Sequence, residues 1–309
     1  MDGPAVLATG LRKAYGARVA VDGIDVEVAR GECFGFLGPN GAGKTTTMRM
    51  LSCLSSRDGG ALQVLGMDPD REPRALKARL GVVPQEINLD LELSVRENML
   101  VYGRYFGIPA RRARTRADEL LAFVDLLERA DDTVSTLSGG MQRRLQIARA
   151  LINDPEMVLL DEPTTGLDPQ ARRMVWERLR DLGSRGTSVV ITTHYMDEAE
   201  RLCDRLVVMD HGRVVREGQP AALVRDDVGA EVLEARVDPS RAQGFAAAVS
   251  PRHLVEGDVV MAFGDSADVM VARADATGTP WQMVSARRAT LEDLFIVITG
   301  HSLREGAPD

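Results

Sequence analysis

The chain is poor in cysteine, with three residues of this type among 309. Cys33, Cys53 and Cys203 are odd in number, lie far apart and lack the paired spacing of zinc ligands. This pattern argues against a disulfide framework and against a zinc site, and it favours a reducing compartment such as the cytosol. We therefore expect the three thiols to be small buried side chains.

Long hydrophobic runs are also missing. Nowhere do about 18 apolar residues follow one another, which is the length that a membrane-spanning helix needs. The start of the chain lacks the basic residues and the apolar stretch of a targeting segment. If this protein works in transport, the sequence predicts that another chain supplies the pore.

An excess of positive charge is absent as well, since the formal net charge is -8. This balance argues against a nucleic-acid partner, because phosphate backbones attract basic surfaces. Hydrophobic residues make up 44% of the chain and charged residues 27%, as in soluble globular proteins. The length predicts about two domains.

The patterns that are present predict an α/β fold. Short alternating segments over residues 5–36 are typical of strands, and residues 90–153 change to a helical periodicity. We predict a first domain over residues 1–225, with an antiparallel β subdomain and with the helical subdomain inserted at about 90–153. Strand and helix patterns alternate again over residues 226–309, which predicts a small C-terminal α+β domain.

A glycine-rich loop lies between an apolar run and a helical segment. It follows the pattern G-x-x-x-x-G-K-[ST], whose backbone N–H groups converge on phosphate oxygens. We expect Lys44 to reach the β- and γ-phosphates and the Thr45 hydroxyl to bind Mg²⁺, while the helix N-terminus adds partial positive charge. A chance glycine turn is the alternative, but the order strand, loop, helix predicts a P-loop NTPase core. The phosphate-binding residues are Gly38, Pro39, Asn40, Gly41, Ala42, Gly43, Lys44, Thr45 and Thr46.

Two adjacent carboxylates follow another apolar run. Residues 157–160 predict a buried strand, and Asp161 and Glu162 come directly after them. Ligands of open α/β sheets bind at the carboxyl ends of the strands. Asp161 can hold Mg²⁺ through water, and Glu162 can polarise the attacking water. Two neighbouring carboxylates beside a phosphate site would repel one another without a metal, so a purely structural role is disfavoured.

Between these elements, residues 137–141 read Leu-Ser-Gly-Gly-Met, which resembles the signature motif of the ATP-binding-cassette (ABC) ATPases. The resemblance runs from about residue 7 to residue 219, with seven motifs in order. The chain departs from the commonest signature at Met141, where many members carry Gln. Four further positions match the adenine-stacking aromatic, the Q-loop glutamine, the D-loop aspartate and the switch histidine: Tyr15, Gln85, Asp168 and His194.

The resemblance implies a mechanism with ATP and Mg²⁺. Two copies would dimerise head to tail, and each ATP would lie between the phosphate loop of one copy and the signature motif of the other. Ser138, Gly139 and Gly140 would then contact the partner's γ-phosphate. The resemblance also places Tyr15 and Asp168 at the nucleotide, adds Gln85 to Thr45 and Asp161 as a metal ligand, and makes Lys44, Glu162 and His194 the catalytic residues.

Two subgroups of the family resemble this chain beyond the shared motifs. Segments 35–40, 89–98 and 150–155 resemble ATPases that export nodulation lipo-oligosaccharides, and segments 195–200 and 290–295 also resemble ATPases for daunorubicin-type drug efflux. Both subgroups work with a separate membrane subunit. The resemblance therefore implies an exporter of a lipophilic or amphipathic compound, with this chain at the cytoplasmic face of the membrane as a peripheral subunit.

Two other function classes stay open at this point. A soluble ABC ATPase acting on ribosomes or DNA is the first, and the basic run at residues 111–116 is its best support. The single cassette, the lack of a long coiled coil and the acidic balance weigh against it. An inactive regulator is the second, and it is disfavoured because Lys44, Asp161, Glu162 and His194 are all present.

Two surfaces carry further expectations. The segment 86–106 is rich in apolar and aromatic residues, which suit either an interface with a membrane subunit or the core of the helical subdomain. The last helical pattern, over residues 291–298, puts Leu291, Leu294, Phe295 and Ile298 on one face. That face is expected to pack on the small domain's own sheet. The alternative is an accessory role, in which the domain or this helix also braces the two cassettes against each other, because apolar residues 296 and 297 lie off that face.

Overall fold

A computed structural model describes residues 3–299 of the chain. The chain divides into two compact units, the first ending at Val215 and the second beginning at Arg216. Among the described residues, no helix combines the length and the apolar character needed to cross a bilayer.

Two sheets form the framework of the first unit. One is three-stranded and antiparallel, in the order β2-β1-β4, and the other is six-stranded, in the order β5-β6-β7-β3-β8-β9. In the larger sheet the neighbours from β5 to β8 pair in parallel. The strands are β1 Val6–Tyr15, β2 Arg18–Val28, β3 Cys33–Leu37, β4 Gly59–Val64, β5 Leu80–Val83, β6 Met157–Asp161, β7 Ser188–Thr193, β8 Arg205–Asp210 and β9 Arg213–Gly218.

Burial explains why the central strands are continuous apolar runs. Every residue of β3, β6 and β7 is buried, as expected of parallel strands that are covered on both faces. Because β3, β6 and β7 are parallel neighbours, their carboxyl ends lie at one edge of the sheet. Ligands of open α/β sheets bind at this edge. The P-loop NTPase core that the sequence predicts is present.

Helices follow or separate these strands. Three of them, α3 to α5, form the inserted helical region, where α3 and α4 contact each other and both contact α5. A capping box of Ser94 and Glu97 starts α3, and Ser138 is the N-cap of α5. The helices of this unit are α1 Lys44–Leu51, α2 Pro73–Lys77, α3 Val95–Tyr105, α4 Ala110–Phe123, α5 Gly139–Ala150, α6 Pro169–Ser184 and α7 Met196–Leu202.

The second unit is the expected α+β structure. Its four-stranded antiparallel sheet has the order β11-β12-β10-β13. Leu291, Leu294 and Phe295 are buried as predicted, whereas Ile298 is only half-buried. The elements are α8 Pro220–Asp227, β10 Glu231–Val237, α9 Pro239–Val249, β11 Arg252–Glu256, β12 Val259–Gly264, α10 Ala267–Ala276, β13 Trp281–Arg288 and α11 Leu291–Thr299. The helix α11 contacts mainly α8, not the sheet on which its apolar face was expected to pack.

Candidate functional site

The glycine loop connects β3 to α1, and its shape depends on the absence of side chains. Gly43 has a φ of 104°, and a Cβ there would lie 2.4 Å from the Ala20 carbonyl oxygen. A Cβ on Gly38 would lie 2.2 Å from the Met209 carbonyl oxygen. Within residues 3–299, no side chain caps the first turn of α1. The N–H groups of that turn are therefore available to an anion, as in other phosphate-binding loops.

Lys44 sits at the start of α1 with a buried side chain. Its ammonium donates to the carbonyl oxygens of Gly38 at 2.7 Å and of Pro39 at 3.0 Å. Burial lowers the pKa of Lys44, and the carboxylates of Glu162 and Asp161 oppose that effect. A cation held by loop carbonyls beside the free helix terminus can move a short distance onto phosphate oxygens, so this position fits a phosphate group.

Asp161 ends β6 and faces the loop. Its Oδ1 accepts from the Thr45 hydroxyl at 3.2 Å and also from the Thr192 hydroxyl on β7. A carboxylate and a hydroxyl beside a phosphate-binding loop are the oxygen ligands that Mg²⁺ takes in nucleotide sites. The donor set therefore fits a magnesium ion bound together with phosphate groups.

Glu162 follows Asp161 with a left-handed backbone, φ 45°. This conformation costs a non-glycine residue about 1–2 kcal/mol. Its N–H is held by Thr192, by the carbonyl oxygen at 3.1 Å and the hydroxyl at 3.0 Å. Strain of this kind is concentrated at functional sites, where the surroundings fix it. The bend turns the Glu162 carboxylate toward the loop.

Three side chains surround that carboxylate. Gln85 donates to Oε2 at 3.2 Å, His194 Nδ1 lies 3.2 Å from Oε1, and the Lys44 ammonium lies 3.9 Å from Oε1. Burial pushes the pKa of Glu162 up, but His194, Lys44 and the Thr165 hydroxyl together bring it below its ordinary value. Glu162 is therefore ionised at neutral pH and can accept a hydrogen bond from water.

A cavity of about 470 Å³ opens onto these groups. Its walls include Tyr15, which is 47% exposed, and Arg18 at the start of β2. No motif pointed to Arg18, although its place three residues after Tyr15, which the sequence predicts to stack on adenine, could have done so. The sequence-predicted residues in the walls are Tyr15, Asn40, Gly41, Gly43, Lys44, Thr45, Thr46, Gln85 and Glu162.

The signature residues do not line this cavity. Ser138 and Gly139 are exposed at the N-terminus of α5, where the Ser138 hydroxyl accepts from the N–H of Met141 at 3.3 Å. Asp168 caps α6 by accepting from the N–H groups of Gln170 and Ala171. Within one copy, Ser138 and Asp168 therefore cap helices, and neither residue lines the cavity at the phosphate loop.

Comparison with known proteins supports the same set of motifs. A family model described as ABC transporter matches residues 21–165, which include the phosphate loop, Gln85, the signature residues and both carboxylates. The Nod factor export ATP-binding protein I of Paraburkholderia xenovorans is 46% identical over 296 residues, covering 96% of this chain and 97% of that protein. The chain belongs to the ATP-binding subunits of ABC transporters.

Another relative and two solved structures support the same family assignment. The Nod factor export ATP-binding protein I of Mesorhizobium japonicum is 46% identical over 97% of this ABC subunit and 88% of its own length. The structure of an ATP-binding subunit of an ABC transporter matches with a TM-score of 0.66 and 27% identity, over 72% of this chain and 92% of that one. A cassette described as dimeric, in a post-hydrolysis state with ADP and Pi, matches with a TM-score of 0.64 and 28% identity, over 69% and 98%.

Proposed function

We propose that this ABC subunit hydrolyses ATP with Mg²⁺ and thereby drives export through a separate membrane subunit. The observation that carries the proposal is that Lys44 and Glu162 line one cavity together with Thr45. Asp161 and His194 lie behind these residues: Asp161 Oδ1 accepts from the Thr45 hydroxyl, and His194 Nδ1 lies 3.2 Å from Glu162 Oε1. Three separate segments of the chain contribute these residues, one after β3, one at the end of β6 and one after β7. A purely structural role would not explain why Glu162 has a strained backbone beside the uncapped N-terminus of α1, since such strain is concentrated at functional sites.

Each residue has a proposed task. The loop N–H groups and Lys44 bind the phosphates, while Thr45, Asp161 and Gln85 would hold Mg²⁺, which supplies charge neutralisation when bound. Glu162 accepts a hydrogen bond from the attacking water and orients it toward the γ-phosphate. His194 holds the Glu162 carboxylate in place, and Tyr15 stacks on the adenine at the exposed rim.

The active form in this proposal is a head-to-tail dimer. Ser138, Gly139 and Gly140 lie at the N-terminus of α5, which is a favourable place for an anion, yet they lie outside the cavity of their own copy. A second copy can bring its phosphate loop to them. The dimeric cassette among the structural relatives supports this arrangement. Asp168, at the start of α6, would lie beside the shared nucleotide.

The relatives named for Nod factor export support an exporter whose cargo is a lipophilic or amphipathic compound such as a lipo-oligosaccharide. The daunorubicin-type resemblance points to the same chemical class. In this proposal the chain is peripheral at the cytoplasmic face of the membrane. A role on ribosomes or DNA is less well supported, because the net charge is -8. The test is to purify the chain with the membrane-spanning protein encoded beside it and measure ATP-driven cargo uptake into inverted vesicles.

A basic cleft in the first unit is the proposed docking site for that membrane subunit. It encloses about 1060 Å³ between α2, the end of α3 and α4. Tyr105 is 78% exposed there, and Phe106 beside it is half-buried. Exposed aromatic and arginine side chains are typical of protein interfaces. Glu119 and Asp154 also line the cleft, where both pair with Arg116, so the other cationic residues give it its positive charge. The cationic residues that line the cleft are Arg74, Lys77, Arg104, Arg112 and Arg116.

Charge reversal in the cleft should uncouple transport from hydrolysis. The cationic lining of the cleft suits an acidic segment of the partner. We expect the double substitution Arg104→Glu and Arg112→Glu to lower cargo transport by the purified complex about tenfold, because the two glutamates would repel such a segment. Basal ATP hydrolysis by the isolated chain should stay within about twofold of the parent. The double substitution Arg111→Glu and Arg114→Glu is the matched control, because both residues are exposed on α4 but do not line the cleft. Equal transport by the cleft variant and this control would remove the cleft from the interface.

A further inference from the structure

Arg143 is a charged side chain inside the protein that none of the sequence motifs includes. It lies on α5, five residues after Ser138, and only 3% of it is exposed. Its guanidinium donates to carbonyl oxygens of two separate segments. One segment supplies Pro84 and Gln85, and the other supplies Asp161, Glu162 and Pro163 at 2.9, 2.9 and 2.8 Å.

The hydrogen bonds account for the burial of this charge. Burial lowers the pKa of Arg143 to about 10, with Asp161, Glu198 and Glu162 opposing the change, so the side chain is charged at neutral pH. Within residues 3–299, the hydrogen-bond acceptors of Arg143 are neutral oxygens, including the side-chain oxygen of Gln146 at 2.7 Å. A planar guanidinium with five donors can hold several carbonyl groups at once, whereas an ammonium on a flexible stem cannot.

The two segments that Arg143 holds are those that bear the reacting side chains. Gln85 and Glu162 meet across the cavity, with 3.2 Å between Nε2 and Oε2. Arg143 binds their backbones, at the carbonyl oxygens of both residues. The Glu162 carbonyl belongs to the left-handed residue, φ 45°, so the same guanidinium helps to fix the bend that aims the carboxylate.

We propose that Arg143 is a positioning residue for hydrolysis: it ties α5 to the backbones of Gln85 and Glu162. The proposal rests on the function proposed above. Ser138, at the N-terminus of α5, would contact the nucleotide bound by the partner. If α5 shifts when this contact forms, the Arg143 guanidinium moves with the helix. The Glu162 carboxylate of the same copy then moves as well, because Arg143 holds its backbone. In each copy, Arg143 thus connects the signature helix α5, which contacts the nucleotide bound by the partner, with Glu162, which activates water at the nucleotide bound by the same copy.

Arg143→Lys tests this role, because lysine keeps the charge but cannot span both segments. We expect kcat for ATP hydrolysis by the full chain to fall about tenfold or more, since small displacements of a positioned group are costly. KM and the equilibrium affinity for ATP should stay within about threefold, because the phosphate loop is untouched. The matched control is Arg144→Lys on the same helix, where a single carbonyl, that of Val124, accepts at 2.8 Å.

Different results would overturn the positioning role of Arg143 and the proposed function. A kcat for Arg143→Lys within twofold of the Arg144→Lys control, or a loss of affinity as large as the loss of kcat, would overturn the proposal. If Arg143→Lys does not fold, Gln146→Leu replaces it. This change leaves the guanidinium in place but removes its acceptor on Gln146, together with the Gln146 amide donations to Glu86 and Asn88 in the segment after Gln85. It should lower kcat about threefold at unchanged KM, and an unchanged kcat would overturn the proposal. A parent chain with no ATPase activity would instead contradict the proposed function.

Discussion

Glu162→Gln should abolish steady-state ATP hydrolysis while leaving ATP binding intact. The amide keeps the shape of the carboxylate but lacks the charge that orients water, so we expect the rate to fall by about 10²–10⁴-fold. Without hydrolysis the ATP-bound dimer should persist. Phosphate release measures the rate, and size-exclusion chromatography with ATP and Mg²⁺ should show a stable dimer that the parent does not accumulate.

The control for this variant lies at the opposite end of the same strand. Glu156 precedes β6 and accepts from Arg79 on the side away from the cavity. Glu156→Gln should hydrolyse ATP at a rate close to that of the parent. Hydrolysis by Glu162→Gln at the parent rate would show that another residue activates the water.

Lys44→Ala should act at the earlier step and weaken nucleotide binding. Hydrogen bonds to charged groups contribute about 1.5–3 kcal/mol each, so affinity should fall by roughly ten- to a hundredfold. Equilibrium binding of a labelled ATP analogue measures this. Because Lys44 also neutralises Glu162 and Asp161, a thermal melt should accompany the binding curve to exclude unfolding.

Lys77 offers a matched substitution outside the nucleotide cavity. It lies on α2, with an exposed side chain, and Lys77→Ala should leave nucleotide affinity unchanged. An affinity of Lys44→Ala equal to that of Lys77→Ala would mean that the glycine loop is not the nucleotide site.

The parts of this site that follow local sequence rules could be predicted without a structure. The phosphate loop needs glycine where a Cβ would strike a carbonyl, as at Gly43, and this constraint leaves a pattern in consecutive residues. The carboxylates Asp161 and Glu162 stand at the end of a buried apolar run, which the sequence also displays. The P-loop NTPase fold and the α+β character of the second unit are confirmed.

Residues that act over long sequence separations could not be predicted. Arg143 reaches Pro84, which is 59 residues away along the chain, and Pro163, which is 20 away, so no local pattern marks it. Glu198 is a similar case: its carboxylate accepts from Thr164 and Trp176, and burial raises its pKa. β11 is also hard to predict, because its residues are at most half-buried and its alternation of apolar and polar residues is weak.

The second unit shows why helix faces are easier to predict than their packing partners. The spacing of apolar residues places Leu291 and Leu294 on the buried face of α11, as expected. The same rule predicts burial for Ile298, one residue before the end of the helix, but Ile298 is half-buried, and Val297 is 36% exposed. The spacing of apolar residues predicts which side of a helix a side chain lies on. Whether a side chain near the end of the helix is buried depends also on whether a neighbouring element covers that end.

The central claim is that each ATP is hydrolysed between the phosphate loop of one copy and the signature motif of another. A signature variant for its test is Gly139→Asp, because a Cβ at Gly139 meets nothing within 4 Å among the described residues. An aspartate in the first turn of a helix is favourable for folding, but its charge would repel the partner's γ-phosphate. Lys44→Ala has the opposite defect, an impaired phosphate loop with an intact signature.

Phosphate release from a mixture of these two variants is the most direct measurement. In a mixed head-to-tail dimer, the Gly139→Asp loop and the Lys44→Ala signature form one complete site. At equal amounts, half of the dimers are mixed and each has one working site, so the mixture should recover up to about a quarter of the parent rate. Each variant alone, at the same total concentration, should be nearly inactive. A mixture no more active than the average of its two components would contradict the shared site.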